Sequence, residues 1–412
     1  MSTAVEYAAV VGQVVVVGAG APLVTGWMRQ VRARLEGRAG AGVFQPWRDA
    51  RKLMRKEPIT PVGTGPAFRT APALLVATAV VAAALVPLLS TDTPVSGHAD
   101  LIVVVALIAL GTMALALAGL DTGTAFGGMG ASREMTVAAL VEPTILLSVF
   151  ALSIPAGTTN IPAIVSGAAN EPARLASPAG LLATAALAVA VLAETGRIPV
   201  DNPSTHLELT MIHEAMVLEY AGPDLALVEL GAQMRLTLLL GLLSSLVVPW
   251  GIATGASWAA LALALVLFAA KVCLLGAVLA AAEVFWAKIR LFRVPELLAG
   301  SFLLALLAVT ASYFLGERHE RRPVHPAPRP RLRCFPAGGR DRAVAARTDL
   351  DRPRLRATGP RTGRDRRPAR RARGTLGPDR RGARHRGPQG GPPAVSDAAR
   401  PGRAHRGPAA VR

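Results

Sequence analysis

Along this chain the apolar residues come in unbroken runs, not in the two- or 3.6-residue alternation of a half-buried strand or helix. Runs of roughly membrane-spanning length fall at 8–27, 71–90, 101–120, 135–154, 178–194, 234–250, 256–282 and 297–315. A hydrocarbon core of about 30 Å needs about 20 such residues in helical form, so the pattern predicts an all-α, polytopic membrane protein of about eight transmembrane helices. The first three runs contain no charged residue. Acidic Glu6, with no basic residue before it, argues against a signal peptide. The run 234–250, which Arg235 opens, is short for a span unless the chain enters at a tilt.

The loops between the runs carry charge very unevenly. With residue 1 outside, loops 28–70, 121–134, 195–233 and 284–295 are cytoplasmic and hold 10, 1, 1 and 3 Lys or Arg. The opposite loops, 91–100, 155–177 and 251–255, hold 0, 1 and 0. That bias orients the bundle with its basic loops in the cytoplasm and requires an even number of spans. The expected location is the cell membrane, multi-pass.

The whole-chain charge of +18 changes meaning once it is placed. From Glu317 to Arg412 there are 27 Arg, no Lys and 8 acidic residues, while the preceding 316 residues carry 18 basic and 19 acidic side chains. Residues 1–316 are therefore a nearly neutral membrane domain and 317–412 a basic tail. The tail lacks Lys, Ile, Met, Asn, Tyr and Trp and is mostly Arg, Pro, Gly and Ala. Those four residues have GC-rich codons, which points to an out-of-frame reading of a GC-rich gene; the alternative is a genuine disordered Arg/Pro-rich tail. Nucleic-acid binding would rest on this tail alone and is not expected; the lipid bilayer is the expected non-protein partner.

Cys273 and Cys334 are the two cysteines and no CxxC occurs. The chain cannot supply the thiolates of an iron–sulfur cluster, a nickel site or a structural zinc, so no cofactor is expected in it. His213-Glu214 lacks the second histidine of HExxH, since Val217 stands there. Gly18 and Gly20 lie inside the first run, where no dinucleotide loop can form.

Ionisable groups within or beside spans are expensive, about 3 kcal/mol or more at the bilayer centre, and point to function. Glu142 lies mid-span beside Pro143, which removes a backbone donor and loosens the helix. Lys271 is central in the seventh run; Glu194 and Glu283 close the fifth and seventh. A structural Glu–Lys pair and a proton relay are both open for Glu142 and Lys271. The densest polar stretch follows Glu194 and runs ETGRIPVDNPSTHLELTMIHEAMVLEY, residues 194–220. Asn202 and Pro203 predict a helix start. At about 100° per residue, His206, Thr210 and His213 then share one side, with Glu208 and Glu219 opposite.

This stretch resembles the signature of the formate hydrogenlyase subunit 4 family, the membrane subunits of energy-conserving (group 4) nickel–iron hydrogenases, related to subunit 1 of respiratory complex I. GVFQPWRDARKLMRKE (42–57), GLDTGTAFGGMGASREM (119–135) with EP at 142–143, and AKIRLFRVPELL (287–298) extend the likeness to about residues 8–316. The resemblance implies eight spans, an outside amino terminus and a cytoplasmic surface that docks a hydrophilic redox arm. It implies as partners hydrogenase-type large and small subunits, an iron–sulfur subunit and antiporter-like membrane subunits. Iron–sulfur clusters and a nickel–iron site would sit on those partners, with quinone the alternative acceptor. The shared frame Arg197-x-Pro199-x-Asp201-x-Pro203 is present, but Thr205 to Leu209 (THLEL) replaces the acid-rich continuation typical of complex I.

The role so implied is coupling of electron transport to proton or ion translocation, the chain being non-catalytic alone within an oxidoreductase complex. Candidate coupling residues are Glu142, Glu194, Asp201, Glu208, Glu214, Glu219, Lys271 and Glu283, with His206 and His213 as shuttles near neutral pH. Arg197, Arg48, Arg51, Lys52, Arg133, Arg290 and Arg293 are candidates for holding the peripheral arm; contact with lipid headgroups is the alternative. Two competing functions are a quinone-site subunit of a complex I-like NADH dehydrogenase and a standalone ion transporter.

Overall fold

The computed structural model describes residues 2–197, 212–255, 257–285 and 293–320. The chain divides into two units, Met1–Arg329 and Pro330–Arg412, and the described residues all belong to the first. The basic tail beyond residue 320 lies outside them.

Eleven α-helices occur among the described residues: α1 (Ser2–Leu35), α2 (Gln45–Leu53), α3 (Pro66–Leu85), α4 (Leu101–Asp121), α5 (Ala125–Ser153), α6 (Ile161–Asn170), α7 (Pro178–Glu194), α8 (His213–Val217), α9 (Gly222–Val247), α10 (Trp258–Phe285) and α11 (Val294–Glu320). Their starts are set by local chemistry. The side chains of Asp100, Thr124, Asn160 and Ser177 each accept a bond from a first-turn N–H of α4, α5, α6 and α7. Pro46, Pro66 and Pro178 sit in first turns, where a missing N–H costs nothing. Pro143 lies within α5, which continues unbroken past it to Ser153.

Among the described residues, seven helices are long and apolar enough to cross a membrane: α1, α3, α4, α5, α9, α10 and α11. The eighth expected span, α7, is an apolar helix of 17 residues, about 26 Å at 1.5 Å per residue. Its contacts run from one end of the bundle to the other. Arg174, just before it, bonds the Pro155 carbonyl at 2.8 Å, whereas Arg197, just after it, reaches Glu283 at 3.1 Å. Those partners lie at opposite ends of the bundle. At one end the loops poor in Lys and Arg meet: Ser90 bridges Ala253, Asp100 bridges Asn160, and Thr159 donates to Asp100 at 2.7 Å. At the other end are the basic loops, where the Phe68 N–H donates to Asp121 at 3.0 Å and Tyr220 donates to the Phe68 carbonyl at 2.8 Å.

The span read as 234–250 is the carboxy-terminal part of α9, a longer helix that runs from Gly222. It forms the centre of the bundle: 72% of its apolar window is buried, against 22% for α10 and 28% for α11. Close approach is made possible by glycine. A Cβ at Gly231 would stand 2.7 Å from Leu75 of α3, and one at Gly130 2.9 Å from the Ile212 carbonyl.

The helix expected from Pro203 to Tyr220 is seen only in part. Residues 198–211 lie outside the described ones, and after them α8 covers five residues, ending at Val217. Glu219 therefore sits in the turn that follows and not on a helical face.

Candidate functional site

Arg235 is the centre of the polar interior. It projects from α9 with its side chain only 13% exposed and pairs with Glu194, the last residue of α7, whose side chain is 2% exposed. Thr112 of α4 joins them. The Arg235 guanidinium donates to its hydroxyl, and that hydroxyl lies 3.2 Å from the Ile108 carbonyl and 3.4 Å from Glu194 Oε1. Removing two charges from water costs several kcal/mol per ion, and is tolerated here because each is matched by the other and by hydrogen bonds.

The pair is not fully satisfied. Arg235 Nε is buried with no hydrogen-bond partner among the described residues, and so is Oε1 of Glu142 on α5. The charges of Glu134 and, less strongly, Glu142 act on Arg235. A cavity of about 10 Å³ borders Arg235, lined by Thr78, Gly111 and Leu238. It has room for about one water. Arg235 is thus held by one carboxylate and feels the charge of Glu142, whose Oε1 has no hydrogen-bond partner among the described residues.

A second buried carboxylate, Glu283 near the end of α10, has its side chain 3% exposed and binds two arginines: Arg197 at 3.1 Å and Arg32 of α1 at 3.5 Å. Arg32 also bonds Glu36 at 2.9 Å, and Arg38 completes the group. Hydrogen bonds from Arg38 and then Arg32 hold the Glu36 carboxyl below its ordinary value. Three segments, the ends of α1, α7 and α10, are joined here at the basic end of the bundle.

The other expected site residues scatter. Lys271 of α10 meets no carboxylate among the described residues; its Nζ donates to the Val248 carbonyl at 2.6 Å and to that of Trp250, just past the end of α9. Of the open alternatives, the Glu142–Lys271 pair does not occur. Glu214 is exposed, and His213 and Glu219 are half-buried beside it. Arg48, Arg51 and Lys52 on α2 and Arg293 before α11 are exposed at the basic end, and Arg133 is half-buried on α5. Asp201, His206, Glu208 and Arg290 lie outside the described residues. Among the described residues no three His, Cys, Asp or Glu side chains gather in a way that could hold a metal ion.

Sequence reasoning noted Arg235 only as the start of a short span, and it missed Glu229. The signal was available: both are charges inside what is one apolar helix once its start is placed at Gly222. Glu229 is half-buried on that helix and feels Arg29, Asp49 and Glu214.

Comparison with known proteins agrees with this architecture. Residues 7–313 match the family model described as NADH dehydrogenase. The chain is 37% identical over 290 residues to hydrogenase-4 component C of Escherichia coli (strain K12), covering 70% of this chain and 90% of the relative. Formate hydrogenlyase subunit 4 of the same organism is 33% identical over 296 residues, 72% of this chain and 95% of the relative. A chain in the structure of the membrane-bound sulfane sulfur reductase, an archaeal respiratory membrane complex, has the same fold, with a TM-score of 0.62 and 18% identity, covering 74% of this chain and 99% of that one. With seven apolar helices of membrane-crossing length and the shorter α7 among the described residues, and a family match from residue 7 to 313, this chain belongs to the NADH dehydrogenase family of membrane proteins.

Proposed function

We propose that this chain is the membrane subunit of an energy-conserving hydrogenase or formate hydrogenlyase-type complex, where it anchors a peripheral redox arm and couples electron transfer to proton or ion translocation. Near end-to-end similarity to hydrogenase-4 component C and formate hydrogenlyase subunit 4 supports the class of complex. The observation that carries the coupling role is the buried Arg235, paired with Glu194 and within the field of Glu142, whose buried Oε1 has no hydrogen-bond partner among the described residues.

The partners would be hydrogenase-type large and small subunits, an iron–sulfur subunit and antiporter-like membrane subunits, and they would hold the redox centres. The exposed Arg48, Arg51 and Lys52 supply a cationic face for the arm at the basic end. Glu283 ties Arg197, and with it the segment that follows, to α1 and α10.

The mechanism follows from charge balance in a low dielectric. While Glu194 is ionised it neutralises Arg235. When a charge arriving in the arm favours protonation of Glu194, the guanidinium is left unbalanced beside Glu142, whose ionised form it then favours. A proton taken up at Glu194 is thereby matched by one released at Glu142, and the positive charge of Arg235 never has to leave the interior. Asp201, Glu208, Glu214, Glu219, His206 and His213 would feed this pair from the basic end.

Residues 1–316 carry this function in our reading. The Arg/Pro-rich remainder lies past residue 313, where the family match ends.

The test is Glu194→Gln in the assembled complex reconstituted into liposomes. Electron transfer should persist at a substantial fraction of the original rate while ion translocation is lost. Undiminished translocation per electron would remove Glu194 from the path.

A further inference from the structure

A third carboxylate belongs to the surroundings of Arg235. The sequence places Glu134 at the edge of the cytoplasmic loop 121–134, but α5 begins at Ala125. Glu134 therefore lies inside the helix, about 14 Å along it at 1.5 Å per residue. It is on the side that meets the rest of the bundle. At about 100° per residue, it falls about 40° from Gly130 and about 20° from Val141, and between Val137 and Ala138; all four are buried.

What lies on either side of Glu134 gives it a place in a path. One turn earlier, toward the basic end, α8 closes on α5: a Cβ at Gly130 would stand 2.9 Å from the Ile212 carbonyl and 3.0 Å from Ala215. About two turns later, and about 12 Å deeper, comes Glu142 with its buried Oε1. From α9, Arg235 completes the group. Of the carboxylates not bonded to it, Glu134 acts on Arg235 more strongly than Glu142 does. The charge of Glu134 acts on Glu142 as well. Glu134 is half-buried and forms no ion pair with any cation among the described residues.

We propose that Glu134 returns protons to Glu142 from the basic end of the bundle. The proposal rests on the coupling role above and names a residue within it. In that role Glu142 gives up its proton while Glu194 holds one. When Glu194 ionises again and neutralises Arg235, Glu142 has to be refilled. A carboxylate two turns nearer the basic end, on the buried side of the same helix and in the field of the same guanidinium, meets that need. The O–H bond of protonated Glu134 breaks as one forms on Glu142, with water carrying the proton across the interval. Glu134 then takes a proton from water at the basic end, where α8 carries the titratable His213 and Glu214. Electrostatics gives the step its order. Like charges close together in a low dielectric disfavour double ionisation, and a nearby cation disfavours double protonation, so Glu134 and Glu142 share one proton while Glu194 balances Arg235. While Glu194 is protonated, the unbalanced guanidinium favours the ionised form of both, and refilling waits.

The test uses the assembled complex in liposomes, with ions translocated per electron as the readout. That ratio does not change if a substitution merely lowers the amount of intact complex. Glu134→Gln, which keeps the shape and removes the proton site, should lower the ratio at least fivefold, and Glu134→Asp should restore at least half of it. Glu194→Gln is measured beside them. An unchanged ratio in Glu134→Gln together with a lost one in Glu194→Gln would overturn this proposal and leave the coupling role standing. Unchanged ratios in both would remove the coupling role too. A ratio in Glu134→Asp as low as in Glu134→Gln would also overturn the proposal, since the position would then require the glutamate's shape and not its proton. If Glu134→Gln does not assemble, Glu134→Ser decides by the same ratio.

Discussion

The interior of this bundle is expected to depend on Arg235 and Glu194 as a unit, and a double-mutant cycle measures that dependence. Arg235→Met removes the guanidinium from Glu194, whose side chain is 2% exposed, and from the hydroxyl of Thr112. Glu194→Leu leaves the guanidinium, 13% exposed, with Thr112 and no carboxylate in contact. Breaking a buried pair by deleting one partner costs about 3–5 kcal/mol, because the other charge stays behind uncompensated. Replacing both with apolar groups of similar size is often close to neutral. The double variant should therefore be more stable than the sum of the two losses by about 2–3 kcal/mol or more. The assay is unfolding of the chain in mixed micelles with increasing dodecyl sulfate, followed by helical circular dichroism. Additive losses, with a coupling within about 0.5 kcal/mol of zero, would refute this dependence. They would mean that solvent reaches the pair and screens it.

Other outcomes follow from the same geometry. Glu283→Gln should release both Arg197 and Arg32, which it binds at 3.1 and 3.5 Å, and limited trypsin digestion should then cut after Arg197 several-fold faster. Tyr220, stacked on Phe68 with ring centroids 4.1 Å apart, has its phenol pushed above the ordinary tyrosine value, first by burial and then by Asp224 and Asp121. Its folded form holds the proton more tightly than the unfolded form, so this contribution is complete below about pH 10. It is lost as pH rises further, and Tyr220→Phe should flatten that part of an alkaline stability profile. Gly130→Val should cost about 1–3 kcal/mol by overpacking, since even a Cβ there would stand 3.0 Å from Ala215 and Met216 of α8; loss of folded protein on heating reports it.

Much of the architecture was legible in the sequence because membrane helices announce themselves by uninterrupted apolarity. The runs, the sides on which loops gather and the boundaries near Asp100 and Ser177 all follow from local chemistry, whereas the run read from 135 belongs to a helix that begins at Ala125. The length of α9 was not legible. Glu229 and Arg235 interrupt its apolar pattern, so the helix reads from Met234 although it begins at Gly222. One of those interruptions, Arg235, is the buried charge that matters. Glu194 and Glu283 could be read as charges at span ends but not as buried, since burial depends on arginines far away in sequence: Arg235 for one, Arg32 and Arg197 for the other. Lys271 misled for the complementary reason. Its position at the centre of an apolar run suggested a carboxylate partner, whereas the carbonyls after the end of α9 satisfy it. Sequence position gives depth along a helix, not which neighbour that helix faces.

Whether this chain works inside a redox complex is settled most directly by mass spectrometry of the assembly, purified from detergent-solubilised membranes through an amino-terminal tag. Large and small hydrogenase-type subunits, an iron–sulfur subunit and antiporter-like subunits should appear in stoichiometric amounts, with nickel and iron in the same fraction. Recovery of the chain alone, active in ion flux without any redox partner, would contradict the coupling role.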